Sequence, residues 1–186
     1  LSIATRPDCL GDDVLDLLEE MSKKVYLWVE LGLQTINDKT AENFNRGYKF
    51  EVFKEGIKKL QDRGIEVVVH SIFGLPGETK EDMLRTIDYI AHSGAQGIKF
   101  HLLHLMKNTK MAEQYYNGEF ELLSEEDYID LICQGISMIP EEMVVHRLTG
   151  DAPRATLIGP MWSLKKWEAL NAIDKALVDR DIWQGK

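Results

Sequence analysis

Two spacings of apolar residues alternate along this chain. Short runs rich in β-branched and aromatic residues predict strands, and longer stretches with a three-to-four-residue period predict helices. Leu1 to Thr5 reads as the end of a strand, and Pro7 opens a loop because its ring fixes φ and removes a donor. Val14, Leu15, Leu17 and Leu18 predict a helix from Asp12 to Met21. Val25 to Leu33 is apolar except for Glu30 and Gly32, as expected of a strand covered on both faces. A short helix from Asp38 to Asn45 stops at Gly47, and a longer one runs from Phe50 to Arg63. Ile65 to Phe73 is the clearest strand, with three consecutive valines. Thr79, with Asp82 as its capping partner, starts a helix that reaches about Ser93. Ile98 to Leu105 predicts another strand, followed by helices at Met111 to Tyr116 and Glu125 to Met138. Met143 to His146 is a short strand and Gly150 to Pro160 a loop. Ser163 to Asp181 is a last helix, with Leu164, Trp167, Leu170, Ile173 and Leu177 on one face.

Strands and helices that alternate in this way, joined by right-handed crossovers, give a parallel sheet. The fold class is therefore α/β. Five strands are too few for a closed eight-stranded barrel, which takes roughly 200 residues or more. The expectation is a partial TIM-like barrel with its first strands absent, in a single domain over residues 1–186. The chain opens on Leu1 rather than Met, which predicts further sequence upstream.

Composition narrows the classes. The 44% apolar and 28% charged residues are those of an ordinary globular protein. No apolar run reaches the roughly 18 residues of a membrane span, and no secretory signal is visible, so a cytoplasmic location is expected. The net charge of −9 argues against a broad surface for nucleic-acid phosphates. Cys9 and Cys133 are far apart and belong to no metal-ligand pattern, so both are expected as small buried side chains in a reducing compartment.

The candidate chemistry gathers at the C-terminal ends of the strands, where α/β proteins bind ligands. In a regular strand Glu30, Gly32 and Gln34 share a face; a carboxylate and an amide there suit hydroxyl and amine groups of a polar ligand. The structural alternative places Gln34 past the strand end, capping the next turn. Arg46 suits a carboxylate, or else a surface ion pair. His70 lies in an apolar strand, where a lone histidine is more often a core residue. Lys99 and His101 share a face, whereas His101 and His104 are three apart and should face opposite sides, which rules out a metal pair on that geometry. Gly74-Leu75-Pro76-Gly77-Glu78-Thr79 is either a tight strand-to-helix turn or a loop that approaches a ligand closely. It lacks the lysine of a phosphate-binding P-loop. Asp8, Asp12 and Asp13 suit a helix N-terminus. The polar loop from Arg147 to Arg154 is placed to meet substrate.

Taken in order, Thr5-Arg6-Pro7-Asp8, Glu30-Leu31-Gly32-Leu33-Gln34-Thr35, Asn45-Arg46-Gly47, Gly74 to Thr79, Lys99 to Leu103, Thr109 and Arg147 to Asp151 resemble the radical S-adenosylmethionine (SAM) superfamily. Trp162, Lys165 and Gln184-Gly185 add to the likeness. It is greatest to the branch containing the Elongator catalytic subunit and oxygen-independent coproporphyrinogen oxidase, and within it to a small bacterial family labelled YhcC or YtqA. The resemblance implies a partial six-stranded (β/α) barrel, with a radical SAM core over 1–138 and a C-terminal strand, loop and helix over 139–186. It implies a [4Fe-4S] cluster that cleaves SAM reductively to a 5′-deoxyadenosyl radical, with electrons from a donor such as flavodoxin or ferredoxin.

Carried onto this chain, the resemblance gives Gln34 and Arg46 the methionine moiety of SAM, Arg46 pairing with its carboxylate. His70 stands where relatives often place an Asp that contacts the ribose. Ile72 and Gly74 line the adenine side, His101 to Leu103 offer strand backbone to the base, and Glu30 faces cofactor or substrate. Arg6, Asp8, Arg147 and Asp151 are substrate-side candidates. The three-cysteine cluster motif is not in this chain, so no metal ligands are expected here and the chain alone should be inactive. A tRNA substrate is within the branch's range, although the charge does not support it. A free sheet edge would allow dimers. Rival readings are a TIM-barrel lyase or aldolase using Lys99, and a non-catalytic α/β domain that binds a nucleotide or a protein.

Overall fold

The computed structural model describes residues 1–186. Five strands, β1 (Ser2–Thr5), β2 (Trp28–Gln34), β3 (Glu66–Phe73), β4 (Gly97–Leu102) and β6 (Val144–Arg147), form one sheet in the order β1-β2-β3-β4-β6. Every pairing in it is parallel. Between them run the helices α1 (Asp12–Ser22), α2 (Asp38–Asn43), α3 (Phe50–Gln61), α4 (Lys80–Ala91), α5 (Lys110–Tyr116) and α6 (Glu125–Met138), with α7 (Lys166–Asp179) last. Two short strands, β5 (Leu105–Met106) and β7 (Leu157–Gly159), pair antiparallel in a separate ribbon. The sheet is open, with β1 and β6 at its edges.

Because the strands follow one another in sequence order, every right-handed crossover returns on the same side. The helices therefore cover one face. That face carries Val29, Leu31, Leu33, Val67, Val69, Phe73, Ile98, Phe100 and Leu102, which share a core with Phe53, Leu60, Ile87, Ile90 and Tyr128 from the helices. Gly135 lets α6 approach β4: a Cβ there would lie 3.0 Å from the Phe100 ring. The helix starts are built as the sequence indicates. Asn37 accepts from the amides of Lys39 and Thr40, Thr79 and Asp82 form a capping box, and Thr109 and Ser124 cap α5 and α6. No helix is long and apolar enough to cross a membrane.

Several expectations are corrected. The second strand begins at Trp28 rather than Val25, and Val25 and Tyr26 are exposed. The expected strand from Ile98 to Leu105 breaks after Leu102, and Leu105–Met106 turns away to pair with a strand inside the expected Gly150 to Pro160 loop. Trp167 is 77% exposed rather than on the buried face of the last helix, which is anchored instead by Ala169 and Ile173. Cys133 is buried as expected, but Cys9 is exposed on a 3₁₀ turn.

Phe100 is fully buried on β4 against Phe73 and Gly135. Phe100→Ala is expected to destabilise the chain by about 3–5 kcal/mol in urea unfolding, because the lost contacts leave a cavity between sheet and helices.

Candidate functional site

The strand register fixes which side chains share the face without helices. Ala4, Glu30, Val68 and Gly97 form one row across the sheet, and Gly32, His70, Lys99 and Arg147 form the next. Ile72 and His101 follow toward the C-terminal ends. This face is polar at its centre. Glu30 accepts hydrogen bonds from Ser2 Oγ at 2.6 Å, His70 Nε2 at 2.8 Å and Lys99 Nζ at 2.5 Å. Burial would raise the Glu30 carboxyl, but the hydrogen bonds from Lys99, Ser2 and His70 outweigh it and hold the pKa at about 2. Burial lowers His70 in spite of Glu30. It also lowers His101 to about 4, helped by the nearby charges and rings of His70, Arg147, Lys99 and His104. Both imidazoles are therefore neutral at pH 7. The His70 and His101 ring centroids are 5.0 Å apart, and His101 Nε2 is buried with no partner.

A second group lies at the rim, where β2 ends. Gln34 adopts φ +63°, and the register with β3 shifts between Gly32 and Gln34. Regular alternation fails there, yet the amide still folds back over the same face. A Cβ at Gly32 would lie 2.6 Å from Gln34 Nε2, so only glycine leaves this space free. The Tyr48 hydroxyl donates to the Gly32 carbonyl at 2.7 Å and lies 3.1 Å from Gln34 Oε1.

Arg46, only 2% exposed at its side chain, pins this loop. Its Nη1 donates to the carbonyls of Leu33 at 2.8 Å and Thr35 at 2.5 Å, its Nε to Tyr48 O at 3.0 Å, and its Nη2 to Asp38 at 3.0 Å. The guanidinium carbons of Arg6 and Arg46 lie 5.2 and 4.8 Å from the Tyr48 ring centroid. Arg6, Gln34, Phe44, Asn45, Arg46 and Tyr48 line a cavity of about 250 Å³. A neighbouring cavity of about 290 Å³ shares Phe44 and Asn45 with it and reaches His104, Thr109 and Lys110.

The remaining predicted residues are dispersed. Arg6 forms a two-pronged pair with Asp8 at 2.9 and 2.7 Å. Asp151 is tied to Lys166, and Arg147 borders a separate groove of about 710 Å³ between β6 and α7. The N–H of Gly74 meets Met83 Sδ, and that of Leu103 meets the Phe73 carbonyl. His101 and His104 do not lie on opposite sides of one strand. The break after Leu102 brings both rings within 4 Å of the Cβ position at Gly150, at 3.7 and 3.2 Å. No group of three or more His, Cys, Asp or Glu side chains is arranged to hold a metal ion.

The sequence reading gave no role of their own to Tyr48, Asp38, Thr35 or Glu78, although all four residues hold the loop that carries Gln34. The available signal was the placing of Tyr48 directly after Asn45-Arg46-Gly47, two residues from the arginine it packs on.

A one-sided parallel sheet with polar groups at its C-terminal rim defines an α/β protein of the partial-barrel class. Residues 1–90 match the radical SAM superfamily and residues 95–179 the radical SAM C-terminal domain. The chain belongs to the radical SAM superfamily. It is 52% identical to the YtqA protein of Bacillus subtilis over its whole length, covering 58% of that protein. It is 37% identical to the YhcC protein of Escherichia coli over 98% of its length, covering 59% of that protein. The chain thus spans somewhat under two thirds of these relatives. Elp3 of Methanocaldococcus infernus has the same fold, with a TM-score of 0.82 over 98% of this chain and 42% of that one, at 23% identity.

Arg46→Ala strips partners from the Leu33 and Thr35 carbonyls and is expected to cost about 3 kcal/mol, read as a lower urea midpoint. His101 titrates near 4 when folded against 6.5 unfolded, so the unfolded chain binds more protons in acid. The stability held above pH 6.5 is therefore lost as the pH falls from 6.5 toward 4. Melting curves across that range should show the decline, and His101→Gln should make it shallower.

Proposed function

We propose that this chain is the cofactor- and substrate-facing part of a radical SAM enzyme. The observation that carries the reading is the rim group: Gln34, in a left-handed conformation, is held over Gly32 by Tyr48 and by the loop that Arg46 pins. A preorganised amide between two arginines suits the amino-acid end of SAM, which carries a carboxylate and an amine. Glu30 and His70, on the adjoining rows, suit ribose hydroxyls. Ile72 and Gly74, with the backbone from His101 to Leu103, form the side on which adenine stacks. The unpartnered His101 Nε2 supports a polar ligand on this face.

Glu30, Gln34, Arg46 and His70 would hold SAM, and a [4Fe-4S] cluster would supply the one electron that parts it into methionine and a 5′-deoxyadenosyl radical able to take hydrogen from a substrate. The two cysteines here do not fit a cluster, since Cys133 is buried on α6 and Cys9 exposed on a distant turn. The role of this chain is to bind, orient and exclude water. Arg147 and Asp151, with the cavity at His104 and Lys110, lie on the substrate side. A flavodoxin- or ferredoxin-type electron donor and a cytoplasmic, oxygen-free setting belong to this reading. A tRNA substrate has weaker support: one relative, at 28% identity, is a tRNA uridine(34) acetyltransferase, but the net charge of −9 disfavours a phosphate footprint. The lyase alternative is weakened because Lys99 is held by Glu30 and is not free to attack a carbonyl.

The test is anaerobic cluster reconstitution of the full-length protein, followed by reduction with SAM. Release of 5′-deoxyadenosine is expected, and its absence would sink the reading. Gln34→Ala should weaken SAM binding about tenfold, the loss of one good hydrogen bond.

A further inference from the structure

We propose that the stretch of the full-length protein that follows Lys186 adds a sixth parallel strand to the five-stranded sheet, on the free edge of β6 and in the groove between β6 and α7. The added strand is independent of the SAM site.

Four times in this chain a helix is followed by a strand that takes the next place in the sheet: β2 after α1, β3 after α3, β4 after α4 and β6 after α6. The last helix, α7, packs beside α6, and within residues 1–186 no strand follows it. The residues after it nevertheless return to the position where such a strand would start. The Ile182 N–H closes onto the Leu177 carbonyl at 2.9 Å and turns the chain out of the helix. Gln184 Nε2 then donates to the carbonyls of Pro140 and Met143 at 3.2 and 2.8 Å, and the Gly185 N–H to that of Ile139 at 2.9 Å. Ile139 to Met143 is the turn that leads into β6, so Gly185 stands at the N-terminal end of that strand. A right-handed crossover places the next parallel strand on its outer side. The chain covers 58% of its Bacillus subtilis relative, and a protein of that length has residues to spare for a strand of about five.

The edge itself is open. Within the sheet β6 pairs only with β4. The Val144 N–H bonds the Gln96 carbonyl on that side at 2.9 Å, so the alternation of a parallel strand turns the N–H and C=O of Val145 outward. Unpaired groups in a row are a template for another strand. The groove beside them holds about 710 Å³, and Ile136, Val145, Leu170, Leu177 and Ile182 give it an apolar lining. Trp183 lies at its border and is 51% exposed. A strand laid there would bury every second side chain against α7 and turn the others to solvent, so the segment should alternate apolar and polar residues. Because it is tethered a few residues away, its effective concentration is in the millimolar range, which favours it over the same edge of a second copy.

The experiment is hydrogen exchange on the full-length protein, compared with a form that ends at Lys186 and with full-length Val145→Pro. The Val145 N–H should exchange at least a hundredfold more slowly in the full-length protein than in the shortened one, while amides at the centre of β3 change less than twofold. Val145→Pro removes the outward donor, and proline is tolerated on an edge strand. In it the amides after Lys186 should exchange at least tenfold faster than in wild type, again with β3 unchanged. Equal exchange at Val145 in the full-length and shortened proteins overturns the proposal. If the shortened form loses protection throughout, the Val145→Pro comparison decides: unchanged exchange after Lys186 overturns the added strand. Protection at Val145 that falls on dilution, with a dimer in light scattering, gives the edge to a second copy and also overturns it.

Discussion

Only one face of this parallel sheet meets helices, and the rest of the molecule follows from that constraint. Sequential right-handed crossovers send every helix to the same side, so alternate residues of each strand meet opposite surroundings. Val29, Leu31, Val69 and Phe100 enter a dry core, while Glu30, His70, Lys99 and His101 share the other face. A charged side chain on the helix side would have no partner. On the open side it finds partners on neighbouring strands, and Glu30 collects three of them.

That face and the rim are one construction. Gly32 belongs to the polar row beside His70 and also provides the space into which the Gln34 amide folds. The shift of register after Gly32 ends regular pairing and frees the Leu33 and Thr35 carbonyls for the Arg46 guanidinium. A buried guanidinium is costly unless its N–H groups are satisfied, and here backbone carbonyls satisfy most of them. Charge used this way organises the loop that carries Gln34.

Much of the fold was legible beforehand. The runs Ile65 to Phe73 and Ile98 to Leu102, and the capping pair of Thr79 and Asp82, are local signals, since a strand run or a cap depends on residues within a few positions. The order of motifs also placed Gln34, Arg46 and the Gly74 turn at one rim. What failed was whatever depends on distant partners. The strand expected to reach Leu105 ends at Leu102 because Leu105–Met106 finds Leu157–Gly159 instead. Trp167 fits a helical stripe by spacing, yet no element packs over it.

Periodicity and turn chemistry in the sequence determined the α/β alternation, the parallel order and the set of polar residues at the strand ends. These depend on neighbours along the chain. The tertiary structure decided which of those residues meet and which remain free. Glu30 and Lys99 are 69 residues apart in the chain but share one hydrogen bond, and no local pattern encodes that contact. The same holds for Arg46 and Arg6. Each is a cation beside a loop when read in sequence; the folded chain buries one against carbonyls and leaves the other an open edge, because burial and bonding partners are set by the packing of separate elements.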